Sequence, residues 1–132
     1  MTRYRRFLFV LLWACVLVPL SNAETPVATK PKQFIYVLRL VPRLHSDTKW
    51  TKEDEAAIGR HLARFKDAHK SGQLILAGRT MEPGDKTFGI AIFEAVDEAA
   101  ARAFMQADPA VAEGIMTAEV HSFAVVLERK AP

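Results

Sequence analysis

Between residues 33 and 127 the hydrophobic positions fall into four short apolar runs separated by two stretches of helical period. Gln33–Val41 is rich in β-branched and aromatic residues and closes at Pro42, the pattern of a strand; Pro42–Trp50 reads as a loop. Thr51-Lys52-Glu53-Asp54 approximates a capping box with acids in the first turn, where the helix dipole favours them. Ile58, Leu62 and Phe65 then recur at i, i+4 and i+7, with Arg60, Arg64 and Asp67 on the other side, and Ser71-Gly72 ends the helix. Gln73–Ala77 predicts a second strand, Gly78–Lys86 with its Pro83-Gly84-Asp85 a loop, and Thr87–Glu94 a third strand. Asp97 caps a second helix whose expected inward face is Ala100, Ala103, Phe104 and Ala107. Asp108-Pro109 stops it and can cap one further short turn, which Gly114 closes. Glu119–Leu127 is the fourth predicted strand.

The order is βαββαβ, that of an α+β ferredoxin-like sandwich with a four-stranded antiparallel sheet and two helices on one face. Such a sheet with water on its other face should alternate apolar with polar residues. Here both sides of strand 1 (Phe34/Tyr36/Leu38/Leu40 and Ile35/Val37/Val41), of strand 3 (Phe88/Ile90/Ile92 and Gly89/Ala91/Phe93) and of strand 4 (Val120/Ala124/Val126 and Phe123/Val125/Leu127) read as largely apolar. Two helices cover only one face. The other needs a lid, and a second copy of the sheet is the simplest, so a homodimer through the open face is expected.

The N-terminus has a different pattern. Arg3, Arg5 and Arg6 precede an apolar run from Phe7 to Leu20, and Ser21-Asn22-Ala23 places small residues where a signal peptidase cuts. The run is too short for a membrane span of about 20 residues. Residues 1–23 are therefore expected to be a signal peptide, directing the chain to the periplasm or the medium. Competing readings are an uncleaved anchor, lipoprotein processing at Cys15, to which Trp13 is poorly suited, and a twin-arginine signal at Arg5-Arg6. Residues 24–32, polar and with Pro26 and Pro31, read as a flexible linker, and 33–129 as the domain.

Composition sharpens this picture. The net charge of +3 arises from the leader: without its three arginines, fifteen basic residues stand against fifteen acidic ones. A formally neutral domain argues against nucleic acid or anionic membrane as partner. Cys15 is the only cysteine and leaves with the leader, so the mature chain has neither disulfide nor thiol chemistry nor a zinc–thiolate site.

Four histidines remain, His45, His61, His69 and His121, none spaced to chelate a metal. His45-Ser46-Asp47 does not constitute a triad, because adjacent side chains diverge. No P-loop, G-x-G-x-x-G or G-x-S-x-G occurs, and no cofactor is expected. His61 lies on the border of the buried stripe of the first helix, where a partly desolvated imidazole needs a partner; that partner is backbone or a functional group. His69 suits the helix C-terminus, and His121 and Arg39 can meet on the open sheet face or serve a dimer interface. Asp108 has two readings, an N-cap or a carboxylate that orients a histidine.

Arg60-His61-Leu62, Ser71-Gly72-Gln73-Leu74-Ile75-Leu76-Ala77-Gly78, Phe88-Gly89-Ile90 and Ala107-Asp108-Pro109-Ala110-Val111, in that order and spacing, resemble the YciI-like (YCII-related) family over roughly Gln33–Arg129. The resemblance implies a dimeric α/β barrel of two ferredoxin-like protomers packed sheet to sheet. It also implies a His–Asp pair proposed as acid and base, which maps onto His61 and Asp108. Most members have no assigned substrate; a few eliminate chloride from chlorinated hydroxylated aromatics. This chain departs from the family in its leader and in Ala77-Gly78-Arg79, where many members have Ala-Gly-Pro. Arg79 is thus either an exposed loop residue or a planar donor to an anionic substrate.

Two functions follow as expectations. One is a cofactor-free enzyme in which Asp108 orients His61 for elimination or isomerisation of a small aromatic or anionic molecule, with Arg79 and Tyr36 as substrate contacts. The other is an exported small-ligand-binding or structural dimeric module in which the same two residues bind ligand or brace the fold. The enzyme reading requires His61 and Asp108 to meet within hydrogen-bonding distance or across one water.

Overall fold

A computed structural model describes residues 31–128. The expected leader, the linker up to residue 30 and Arg129 lie outside the described residues. The elements run β1 (Lys32–Leu40), α1 (Lys52–Lys70), β2 (Leu74–Arg79), β3 (Gly89–Ala95), α2 (Glu98–Gln106), α3 (Pro109–Ala112) and β4 (Met116–Phe123). The strands form one antiparallel sheet in the order β2-β3-β1-β4, so the two central strands are those with apolar residues on both faces. This is the ferredoxin-like arrangement, with the helices on one side. Among the described residues no helix is long and apolar enough to cross a membrane.

Local chemistry explains where α1 begins and ends. Thr51 Oγ1 accepts from the Asp54 N–H and Asp54 Oδ2 accepts from the Thr51 N–H, completing the capping box. Arg43, in a short 3₁₀ turn at Pro42–His45, adds two hydrogen bonds of 2.8 and 2.7 Å to the same carboxylate. The Arg43 hydrogen bond and the Thr51 backbone donor hold the Asp54 carboxyl far below its ordinary range. At the far end Gly72 adopts φ 82°, the left-handed turn that a side chain resists.

The main core lies between the sheet and α1 and α2: Phe34, Tyr36 and Leu38 from β1, Ala91 and Phe93 from β3, Leu74 from β2, Phe65 and Ala68 from α1, Ala101 and Met105 from α2. A smaller cluster of Leu44, Ala57, Ala110 and Ile115 fastens the 3₁₀ turn and α3 to α1.

Several boundaries and faces differ from expectation. β1 starts at Lys32, one residue inside the expected linker, and β2 continues through Arg79. β4 runs over Met116–Phe123 rather than Glu119–Leu127. Its pairing with β1 runs out at Gln33–Phe123, near the start of β1, so the apolar residues beyond have no strand to join. Val126 and Leu127 are 87% and 93% exposed. The inward face of α2 is Ala101 and Met105, flanked by Ala100 and Phe104, while Ala103 and Ala107 face water. Alanines on every side of that helix define no stripe, and the two large residues set its rotation. Leu62, expected in the core, is 51% exposed.

The open face presents Ile35 and Val37 of β1 with Ile90 and Ile92 of β3, all half-buried, and the exposed Leu76 of β2. β4, expected to be apolar on both sides, instead contributes polar Thr117, Glu119 and His121 to this face because the strand lies upstream of the apolar run, so the apolar character of the face belongs to the centre of the sheet. His121 and Arg39 share the face but do not meet. His121 stands opposite Ile35 and Arg39 opposite Thr117, four residues further along β1. The Arg39 guanidinium instead lies 5.2 Å from the Phe88 ring centre.

Candidate functional site

The sequence places His61 three turns into α1 and Asp108 at the start of α3, and packing of α1 against α3 brings the side chains together. His61 Nδ1 lies 2.7 Å from Oδ1 and 2.8 Å from Oδ2 of Asp108. The carboxylate is completely buried, and the imidazole is 13% exposed. Asp108 also accepts the Tyr36 hydroxyl at 2.8 Å and the Ala110 N–H at 3.0 Å. Both readings of Asp108 therefore hold in geometry: it is the N-cap of α3 and the partner of His61.

The electrostatics follow from these contacts. Burial is the largest single influence on the Asp108 carboxyl and pushes it upward. The hydrogen bond and charge of His61, the Tyr36 hydroxyl and the Ala110 N–H together outweigh burial and hold it below its ordinary 3.8. Burial foremost, then the adjacent carboxylate, drives the Tyr36 phenol far above its usual range, so it stays protonated and donates. With an ionised acceptor on that side, His61 Nδ1 carries a hydrogen, and in the neutral form of the ring Nε2 is the nitrogen with the free lone pair. Nε2 has no hydrogen-bond partner among the described residues.

The ring of His61, tilted against Phe65 at 4.3 Å between centres, lines a cavity of about 480 Å³. Its walls are almost wholly apolar: Ile58, Leu62 and Phe65 from α1, Leu38 and Leu40 from β1, Phe88 and Ile90 by β3, with Met116 and Trp50. Ala77, Gly78 and Gly89 complete the lining with almost no side chain. A second hollow of about 580 Å³, carrying His45, Asp47 and Glu82, shares Leu40, Trp50, Arg79 and Thr87 with the first. Arg79 thus stands where the two meet, and it has no carboxylate within salt-bridge distance among the described residues.

Of the four expected site residues, the fold brings His61 and Asp108 together and sets Arg79 on the cavity wall. It does not place Tyr36 there. Tyr36 is completely buried beneath Asp108, because its position on the core face of β1 turns the ring inward. Trp50, Leu62, Thr87 and Gly89 escape sequence reasoning as wall residues. The exposed Leu62 is explained by the cavity it faces, and an apolar residue in the helical stripe gave no sign of that. His45 donates from Nε2 to the Leu40 carbonyl at 3.1 Å, and Ser46 pairs with Thr48, so the two belong to turns and not to a triad.

The sequence model of the family described as "YCII-related domain" matches residues 37–124, from the second half of β1 through β4, and includes both His61 and Asp108. No curated protein matches. Among solved structures the chain is similar to one described as 5-chloro-2-hydroxyhydroquinone dehydrochlorinase (TftG) from Burkholderia phenoliruptrix AC1100 in complex with 2,5-dihydroxybenzoquinone. The identity is 17%, the alignment covers 70% of this chain and 93% of that chain, and the TM-score is 0.49.

Proposed function

The chain belongs to the YCII-related domain family, and on that premise we propose that it is an exported acid–base enzyme in which His61 moves a proton on a small molecule held in the apolar cavity. The observation that carries this reading is the orientation of the imidazole. Nδ1 faces a buried carboxylate, Nε2 has no hydrogen-bond partner among the described residues, and the ring lines a cavity of about 480 Å³. A positioned base of this kind contributes typically about 10²–10⁴-fold.

In an elimination, Nε2 takes the substrate proton. The electron pair left behind forms the new double bond, and the leaving group departs with its own bonding pair. In an isomerisation the same proton returns to a different atom. Asp108 stays ionised throughout and stabilises the imidazolium that forms. Arg79, at the mouth, is the group we assign to a carboxylate or phenolate of the substrate. The shape and apolarity of the cavity suit an aromatic body, which fits the chlorinated hydroxyaromatics handled by a few family members.

Two further parts of the reading concern location and assembly. The Arg3/Arg5/Arg6 cluster, short apolar core and Ser21-Asn22-Ala23 support cleavage after Ala23 and a periplasmic or extracellular protein. Ile35, Val37, Ile90 and Ile92 on the uncovered sheet face support a homodimer. Intact mass of exported protein tests the first; a mass that retains residues 1–23 refutes it.

One observation favours the competing function of a non-catalytic ligand-binding module: Asp108 caps α3 and so has work to do in the fold alone. The deciding experiment is mass spectrometry of small molecules that co-purify with residues 24–132, followed by turnover of the identified compound and of chlorinated hydroxyaromatics. Turnover that collapses in His61→Ala supports the enzyme. Binding without turnover, or turnover indifferent to His61→Ala, replaces it with the module.

A further inference from the structure

Tyr36 is the largest completely buried side chain of the described residues, and its hydroxyl has one hydrogen-bond partner, Asp108. The ring rises from β1 and meets Phe65 of α1, Phe93 of β3 and Phe104 of α2 edge-on, at 6.0, 5.5 and 6.3 Å between centres. Aromatic neighbours from three different elements fix the ring, so the hydroxyl is delivered from a single direction. For packing alone, phenylalanine would serve better, since a buried hydroxyl must give up its water. The hydroxyl is therefore explained by what it does to Asp108.

A carboxylate rotates readily about its terminal torsion. Here the Ala110 N–H holds Oδ1 and the Tyr36 hydroxyl holds Oδ2. Both oxygens are pinned, and their plane is set for Nδ1 of His61, which lies nearly equidistant from them. Of the other charged groups nearby, Arg64 of α1 stacks 4.2 Å over Phe104, and Arg60 of α1 pairs with Glu113 beyond α3 at the surface. Neither is hydrogen-bonded to the Asp108 carboxylate.

We propose that Tyr36 is the positioning residue of this site: its hydroxyl fixes Asp108 as an ionised acceptor, which holds His61 in its Nδ1–H tautomer with Nε2 free for the cavity. The hydrogen bonds then run Tyr36–Asp108–His61, a chain of three side chains from β1, the start of α3 and α1, of which only His61 lines the cavity. Its importance for turnover rests on the acid–base reading above. Its existence does not, and it is testable without a substrate.

The test is NMR of residues 24–132 with labelled histidine and aspartate, comparing wild type with Tyr36→Phe. At about pH 9, well above the ordinary histidine range, the wild-type ring nitrogens of His61 should report one tautomer, Nδ1–H. In Tyr36→Phe they should move toward the averaged values of two exchanging tautomers, and the Asp108 carboxyl carbon should titrate at higher pH than in wild type. Site-specific 3-fluorotyrosine at position 36, a stronger donor of similar size, should move the Asp108 midpoint the other way, and it decides the matter if Tyr36→Phe does not fold. Phe34→Leu thins the same core without touching the carboxylate and should leave both signals in place. Unchanged tautomer and midpoint in Tyr36→Phe overturn the proposal, as does an equal change in Phe34→Leu. Neither outcome bears on the acid–base reading, which stands or falls on the turnover of His61→Ala.

Discussion

His61 and Asp108 are separated by 47 positions in sequence and by 2.7 Å in space. Each is held by a different helix, and the surface pair Arg60–Glu113, with N–O distances of 3.2 and 2.6 Å, joins the residue before His61 to the far end of α3. The alignment of imidazole and carboxylate is thus a property of how α1 meets α3. A substitution that tilts either helix will act on the pair as surely as one that removes it.

Asp108→Asn is expected to lower stability by about 2–3 kcal/mol, because one amide oxygen must replace two carboxylate oxygens among three donors while its NH₂ faces hydrogens. Thermal unfolding measures it. The size of that loss does not separate a cap from a site, since the carboxylate serves both. The separating measurement is ligand turnover in Asp108→Asn below its melting point, where an enzyme loses rate and a binding module has none to lose.

Acid should destabilise the protein in a defined window. The Asp108 carboxyl sits below 3.8 in the folded state, so its contribution to stability is complete above the unfolded value and is lost as pH falls through the folded one. Asp54, held by Arg43, behaves in the same direction at still lower pH. Melting temperature followed from pH 7 down to pH 2 should show a plateau that breaks below about pH 4. The drop should be shallower in Asp108→Asn; an equally steep drop removes Asp108 as its cause.

Residues 24–132 are expected to scatter light as a dimer at micromolar concentration. Ile92→Lys, which puts a charge at the centre of the open face, should yield a folded monomer. A wild-type monomer under the same conditions removes the sheet-to-sheet barrel.

Gly89 offers a way to close the cavity without touching the proton-carrying groups. A Cβ at this position meets the Gly78 carbonyl oxygen at 3.5 Å and Leu38 Cδ1 at 3.6 Å, ordinary contacts, so Gly89→Ala should fold normally. Gly89→Leu should project its branched end into the cavity and raise KM or abolish binding, read by titration with the co-purified ligand. Unaltered affinity in Gly89→Leu places the ligand elsewhere.

Much of this architecture is legible in the chain. The capping residues Thr51, Asp97 and Asp108 mark helix starts correctly because each satisfies N–H groups locally, within three residues. The two-faced strands β1 and β3 stand at the centre of the sheet, where continuous apolar runs belong. What failed is whatever depends on distant partners. β4 was misplaced because Phe123–Leu127 is the more apolar run, yet only Met116–Phe123 finds β1 alongside it. Tyr36 reads as a substrate contact for the same reason: nothing near it in sequence reveals that Asp108 waits across the core. His61 and Asp108 are each marked by the sequence around them, but their pairing comes only through family resemblance, since a boundary histidine and an Asp-Pro cap each have an ordinary structural use.

The cavity divides its labour unequally between interior and rim. The groups that hold the proton rise from β1, α1 and α3, deep in the packed body, whereas Arg79, Thr87 and Phe88 sit at the two ends of the exposed connection between β2 and β3. Changes in length or composition of that connection alter the mouth without disturbing the buried carboxylate. If the cavity is the site of the proposed proton transfer, grafting residues 80–88 between proteins of this architecture is the natural route to exchanging what each of them accepts.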